Sequence, residues 1–386
     1  VIAADHHITG AVGVVAGFPW FGEWSRDTMT SYEGLFLSTG RVREGAALLR
    51  RYAAAVSKGM LPNTTDSGTA EFNTVDATLW FVHALDRHVD VTGDVALAEE
   101  LLVVLREILE AHLAGTRFGI GVDPADSLLR CGVSADPTVD AHLALTWMDA
   151  RIGDVAVTPR HGKPVEVNAL WVNALAVLAR LLRATGAPDD ELRRVTDLHD
   201  AARASFVTRF ARPGGGLKDV VDAPGPAGVR DDDSVRPNQL LAVSLPHGPL
   251  AGDPQAATDV IHAVGPLVTP IGMRTLAPGA PGYRGSHRGD QVSRDLAYHQ
   301  GTVWPWLIGP YVDAVRVAAT TSPDGGRAEP PDGVLDGLLG HLAEAGLGSV
   351  SETADGDAPH GVTGCPFQAW SVAELLRILK PPPVMP

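Results

Sequence analysis

The chain of 386 residues is 45% hydrophobic and 20% charged, which gives ample apolar material for a folded core and excludes a disordered polymer. Its length fits two ordinary domains or one large toroid and does not choose between them. A formal charge of -15 argues against nucleic acid and anionic membrane surfaces, which select basic patches, and is compatible with a neutral substrate. Taken in chain order, the first predicted helices cover roughly 26–38, 42–58 and 74–90. Asp94 caps a predicted helix that runs to Leu113, with Gly115 as its stop. After a candidate helix at roughly 138–149 comes a broad-striped one that starts near Val165 and ends at Gly186. It carries Leu170, Trp171, Ala174, Leu175, Leu178, Leu181 and Leu182 at three- and four-residue steps. Further patterns cover roughly 189–209, 236–244, 255–268, 299–319, 332–345 and 366–379. Period-two runs are scarce and no glycine-rich phosphate turn follows a strand, so the expected fold class is all-α. About twelve helices with alternating short and long connections suit a ring of six antiparallel hairpins.

The long connections carry the chemistry. Residues 16–29 place Trp20, Glu23, Trp24, Arg26 and Asp27 just before and within a helix start. A pyranose offers an apolar face to an aromatic ring and hydroxyls to carboxylates and guanidinium, so this composition suits gripping a sugar. Asp149 follows Thr146-Trp147-Met148, apolar neighbours that favour the neutral acid a general acid needs. Read alone, it is as well explained by a cap or a pair with Arg151. Glu352 opens a loop that also holds Asp355 and Asp357; an ionised carboxylate there suits a general base, and the spacing lacks the ligand pattern of an EF-hand. His299, Gln300 and Trp304 put hydroxyl-recognising groups beside an aromatic platform, while Arg160, Lys163, Glu166 and Asn168 gather at the start of the broad-striped helix. There Glu166 has the simpler reading of compensating the helix dipole. Polar and aromatic groups thus collect at several helix starts, consistent with one end of a ring forming a cup.

Cys131 and Cys365 are the only cysteines, too few for a disulfide framework and too far apart for a zinc site, so both are expected to be buried thiols. Neither a metal nor a cofactor is expected. No run of about eighteen apolar residues is evident and the N-terminus lacks a signal-like pattern, so a cytoplasmic location is expected. The first residue is Val, which sets the expectation of a longer protein with a further N-terminal domain.

Six strings together resemble the amylo-α-1,6-glucosidase family, the glucosidase part of glycogen debranching enzymes: GFPWFGEWSRDTM, EFNTVDATLWF, LTWMDARIGD, VTPRHGKPVEVNALW, YHQGTVWPWLIGP and SETADGDAPHGVTGCPFQAWSVAELLR. They span nearly the whole chain in the family's order. The resemblance implies a single (α/α)6 toroid over 1–386 that removes glucose stubs from an α-glucan or oligosaccharide with inversion. It implies that Asp149 is the general acid and Glu352 the general base, and that Arg26 and Asp27 hold hydroxyls of the terminal glucose. Trp20, Glu23, Trp147, Glu166, Asn168, His299, Gln300 and Trp304 follow as expected cup-lining residues. Ser25 stands where the family pattern has Gly, and Thr353-Ala354 replaces a bulkier pair. With no glucanotransferase barrel in these residues, the resemblance implies action on exposed stubs and leaves room for other α-glucosides such as trehalose. A phosphorylase in a similar toroid, and a noncatalytic glucan-binding module, are the competing readings.

Overall fold

The computed structural model describes residues 2–3, 12–64, 69–132, 142–225, 228–319, 333–345 and 347–382. Twelve α-helices lie among them: α1 (Ser25–Thr30), α2 (Val42–Ala54), α3 (Ala77–Thr92), α4 (Val95–Ala114), α5 (Val165–Ala184), α6 (Asp189–Phe210), α7 (Leu241–Ser244), α8 (Pro254–Val264), α9 (Gln291–Ala297), α10 (Ile308–Ala318), α11 (Asp336–Glu344) and α12 (Ala369–Leu379). Six of them close an inner ring in which each packs on the next: α1 on α3, α3 on α5, α5 on α7, α7 on α10, α10 on α12, and α12 back on α1. Outside it, α2 and α4 pack on α3, α6 on α5, and α8 on α10. α11 seats Leu338 against Ile308, Val312, Leu375 and Ile378 of α10 and α12. The ring order follows chain order, and apart from α9 inner and outer helices alternate: short turns such as 93–94 and 185–188 join an inner helix to the next outer one, while long segments such as 115–164 and 211–240 lead back to the inner ring.

The sequence signals explain the best-formed helices. Asp94 accepts from the Leu97 amide at 3.0 Å, the cap its position predicts, and Gly115 follows with a positive φ of 86°. α5 is long and apolar enough to cross a membrane by length and composition alone, contrary to the sequence reading, but 89% of its apolar window is buried inside the ring. An inner helix touches protein on every side, so it can be hydrophobic all round.

The expectation of an all-α fold needs correction. Short strands edge the mouth of the ring, including a five-stranded antiparallel sheet ordered 268–269, 272–274, 303–304, 353–354 and 362–363. Another pairs Gly13–Phe18 with Phe21–Glu23 and with Phe367–Gln368. Connections that cross a crowded mouth must satisfy their backbone groups, and pairing with a neighbouring connection does so. Two- and three-residue strands leave no alternation for sequence reading to find. Two predicted helices are shorter than expected for the same reason. The pattern at 138–149 is turn and extended chain over its described part, 142–149. The one begun at 299 passes through Gly301, with a φ of 137°, and a strand before α10 starts at Ile308.

Ring closure depends on one close approach. Gly34, in a π-helical turn at Glu33–Leu37, lies so near α12 that a Cβ would meet the Ala373 carbonyl. Gly34→Ala is expected to lower stability by about 1–3 kcal/mol, read as a lower urea midpoint, whereas an unchanged midpoint would contradict this packing.

Candidate active site

The mouth of the ring holds a cavity of about 340 Å³ built from the starts of the inner helices and the segments before them. Arg26 and Asp27 come from the first turn of α1 and are almost fully buried. The Arg26 guanidinium forks three ways. Its Nε donates to Asp76 Oδ1 at 2.8 Å, its Nη1 to Asp149 Oδ2 at 2.8 Å and its Nη2 to the Thr74 hydroxyl at 2.7 Å. Burial opposes its charge, but Asp76, Asp149 and Asp27 outweigh that and hold the guanidinium protonated.

Asp149 ends a segment pinned from behind, where Trp147 Nε1 donates to Asn238 Oδ1 at 2.9 Å. Its side chain is 31% exposed and lines the cavity. Crowding by protein raises its pKa, against the pull of Arg26. Glu352, only 3% exposed, lines the same cavity. It accepts from the Tyr298 hydroxyl and from the Cys365 amide at 2.8 Å. Burial pushes its pKa to about 7, Tyr298 and the Cys365 amide hold it down, and the charge of Asp149 adds to the rise. Asp27, bonded by Gln368 Nε2 at 3.3 Å, is also pushed to about 7, by burial first, with Arg26 opposing and Asp149 and Glu352 adding.

Trp24, Trp147, Tyr298, Trp304 and Trp370 supply the cavity's aromatic surface. Trp147 meets Trp304, Trp306 and Trp370 edge to face at centroid distances of 5.5, 5.3 and 6.4 Å, so the rings are locked by one another. Asn63, Asn73 and Glu71 also line the cavity and are linked in a chain of hydrogen bonds at 3.1 and 3.2 Å. The arrangement offers several carboxyls on one cavity, Asp149 and Glu352 among them, together with a guanidinium fixed by its partners and flat apolar surface, which suits acid–base chemistry on a neutral hydroxylated molecule.

Of the residues expected to line the cup, Arg26, Asp27, Trp147, Asp149, Trp304 and Glu352 do so. The others lie elsewhere. Trp20 is 64% exposed on a turn outside the cavity. Glu23 is tied to Arg51 and Tyr52 beside a separate small pocket. Glu166 is locked with Arg160, which also grips Asp219 at 2.7 Å. Asn168 staples the Leu129 backbone through its amide and carbonyl. His299 is buried against Trp304, stacked at 5.3 Å, and Gln300 bridges Arg236 and Thr158 behind the site. Apart from the exposed Trp20, a cation, ring or backbone group captures each of these side chains. Lys163 lies among Asp123, Asp126 and Asp222, with Nζ at 2.9, 2.6 and 2.8 Å. Those three aspartates are the one grouping with metal-like spacing among the described residues, and the ammonium already fills its centre. Cys131 and Cys365 are both buried free thiols.

Sequence reading missed Tyr298, Gln368, Asn63 and Glu71 as lining residues. Tyr298 directly precedes the HQG string and Gln368 sits inside the last of the six motifs, so position was available, but nothing in one sequence marks which neighbour turns inward.

A family model described as amylo-alpha-1,6-glucosidase matches residues 2–377. The chain is 26% identical over 459 aligned residues to the glycogen debranching enzyme of Saccharomyces cerevisiae, covering 95% of this chain and 30% of that enzyme. It therefore spans about a third of the length of that relative. Among solved structures it resembles a GH63 mannosylglycerate hydrolase from Thermus thermophilus in complex with glucose, with a TM-score of 0.65, 13% identity and 94% and 95% of the two chains covered. An uncharacterized conserved protein from Thermus thermophilus matches with a TM-score of 0.63 and 14% identity over 94% of both chains. These structural likenesses establish the shared fold.

The Tyr298 hydroxyl donates to Glu352 and so favours its charged form; removing the donor must raise the carboxyl's pKa. In Tyr298→Phe, the Glu352 carboxyl followed by ¹³C NMR is expected to titrate at a pH higher by about 1 to 2. Titration at the same or a lower pH would contradict the hydrogen bond.

Proposed function

The chain belongs to the amylo-alpha-1,6-glucosidase family and is a glycoside hydrolase, and from that premise we propose that it releases single glucose units from α-1,6 branch stubs of a glucan with inversion at the anomeric carbon. The observation that carries this reading is that Asp149 and Glu352, far apart in the chain, line one cavity together with the Arg26 guanidinium and the aromatic walls. Its volume is at the lower end of small-molecule sites, in keeping with one glucosyl unit held inside and the rest of the glucan outside.

In this reading Asp149 holds a proton and gives it to the glycosidic oxygen as the bond from that oxygen to C1 breaks. A water attacks C1 from the opposite face, and Glu352 takes the proton that the water loses. The aglycone leads outward, so its oxygen is best reached by the more exposed of the two carboxyls, which is Asp149. Glu352 lies deeper, and its two donors, Tyr298 and the Cys365 amide, favour the charged form that a base requires. A sugar filling the cavity displaces water from Asp149 and strengthens the burial that already favours its proton. Arg26 and Asp27 stand where a terminal glucose would present hydroxyls.

Asp149→Asn and Glu352→Gln are each expected to lower kcat for glucose release from a limit dextrin by about 10²–10⁴, with dextrin binding largely retained. The checks are a glucose-oxidase assay and calorimetric titration; full activity in either variant would remove that residue from its role.

A further inference from the structure

A second cavity, of about 470 Å³, opens at the other end of the ring. Trp370 lines the upper cavity and Trp306 the lower one, and the two indoles stack at 5.2 Å with planes 25° apart. One pair of rings thus separates two chambers within the ring.

The lower chamber is polar where an inner ring would be expected to be apolar. On α3, Trp80, His83 and Arg87 line it at steps of three and four, and α10 and α12 contribute Asp313, Arg316, Glu374 and Arg377. Most of these charges are already matched: Arg87 holds Glu33 at 3.2 Å, and Arg377 holds Asp313 and Glu374, both at 2.6 Å. Three carboxyls from Glu33, Asp313 and Glu374 stand against three guanidinium groups from Arg87, Arg316 and Arg377, which leaves no net charge to attract an ion.

Three nitrogen atoms around the chamber nevertheless have no hydrogen-bond partner: Trp306 Nε1, His83 Nδ1 and Arg316 Nε. Trp306 and His83 are both more than nine-tenths buried. A buried polar atom left unpaired costs about 1–3 kcal/mol; Trp306 and Arg316 offer N–H groups, while the neutral His83 ring, whose Nε2 faces Glu33 Oε1 at 3.3 Å, offers the Nδ1 lone pair, so the cavity calls for hydroxyls that can both accept and donate. Indole surface from Trp80 and Trp306 beside balanced charge suits a molecule with one apolar face and several hydroxyls.

We propose that this lower chamber is a second binding site, for a neutral polyhydroxylated molecule of the size of one or two sugar rings, whose hydroxyls accept from Trp306 Nε1 and Arg316 Nε and donate to His83 Nδ1. The assignment does not rest on which bond the upper cavity cleaves.

The test is a titration of the whole chain with maltose, and separately with inorganic phosphate, followed by the ¹⁵N–¹H indole signals of its eight tryptophans. The Trp306 signal is identified by its loss in Trp306→Phe or by backbone-linked assignment. Maltose is expected to shift it saturably, and still to do so in Arg26→Ala, where the upper cavity has lost its fork. His83→Ala is expected to weaken that response about tenfold, as is Arg316→Met, which keeps the aliphatic stem should the histidine variant not fold. A Trp306 signal that stays fixed, that moves with phosphate alone, or that moves only while Arg26 is present would overturn the proposal. Glucose release, measured independently, reports on the upper cavity alone.

Discussion

A single guanidinium fixes the geometry on which the rest depends. Arg26 joins the first turn of α1 to the Thr74–Asp76 turn that leads into α3, and both to Asp149. These three stretches are brought together because α1 packs on α3 and α3 on α5. An arginine buried this deeply is tolerable because two carboxylates and a hydroxyl each take a bond from one of its three nitrogens, and the same bonds fix where Asp149 sits. Loosening of α1 against α3 would therefore move an acid in the pocket, so the precision of the site is inherited from helix packing.

Electrostatics follows from that arrangement. Asp27, Glu71, Asp149 and Glu352 line the cavity with two cations, Arg26 and Arg151, so carboxyl groups outnumber the charges available to stabilise them. Burial lifts Asp27, Asp149 and Glu352, and a neighbouring carboxylate adds to each rise: Asp149 and Glu352 for Asp27, Asp76 for Asp149, and Asp149 for Glu352. When like groups couple in this way, protons leave in steps that belong to the set and not to one residue. The partners differ. Glu352 accepts two hydrogen bonds that favour its charge, whereas Asp149 has one cationic partner and an open side facing the cavity. Environment thereby separates two chemically similar groups into different parts.

Much of the ring was legible in the sequence. α4 and α5 announce themselves by cap, stop and apolar stripe, and the gathering of polar and aromatic residues at helix starts matches the end at which the cavity lies. Asp149 stood out by its apolar neighbours and Glu352 stood with Asp355 and Asp357 in one loop; the family resemblance picked both, and both line the cavity. The misses share a cause. Glu23, Glu166 and Gln300 carry the right chemistry for a sugar site, but each is captured by an arginine, Arg51, Arg160 or Arg236, and even where that arginine is as near in sequence as Arg160 is to Glu166, the pairing is settled by tertiary packing. The strands at the mouth are too short to leave a period, and the inward turn of Tyr298 is decided by the loop that carries Glu352.

The two ends of the ring differ in charge. At the mouth carboxyls outnumber cations, whereas at the base three carboxyls stand against three guanidinium groups; unpartnered polar atoms occur at both ends, and the Trp306–Trp370 stack stands between them. The account's central claim is that the two carboxyls at the mouth act from opposite faces of one sugar ring. The most direct measurement is ¹H NMR of the first glucose formed from a limit dextrin, before mutarotation: the β-anomer is expected, and an initial α-anomer would contradict the account.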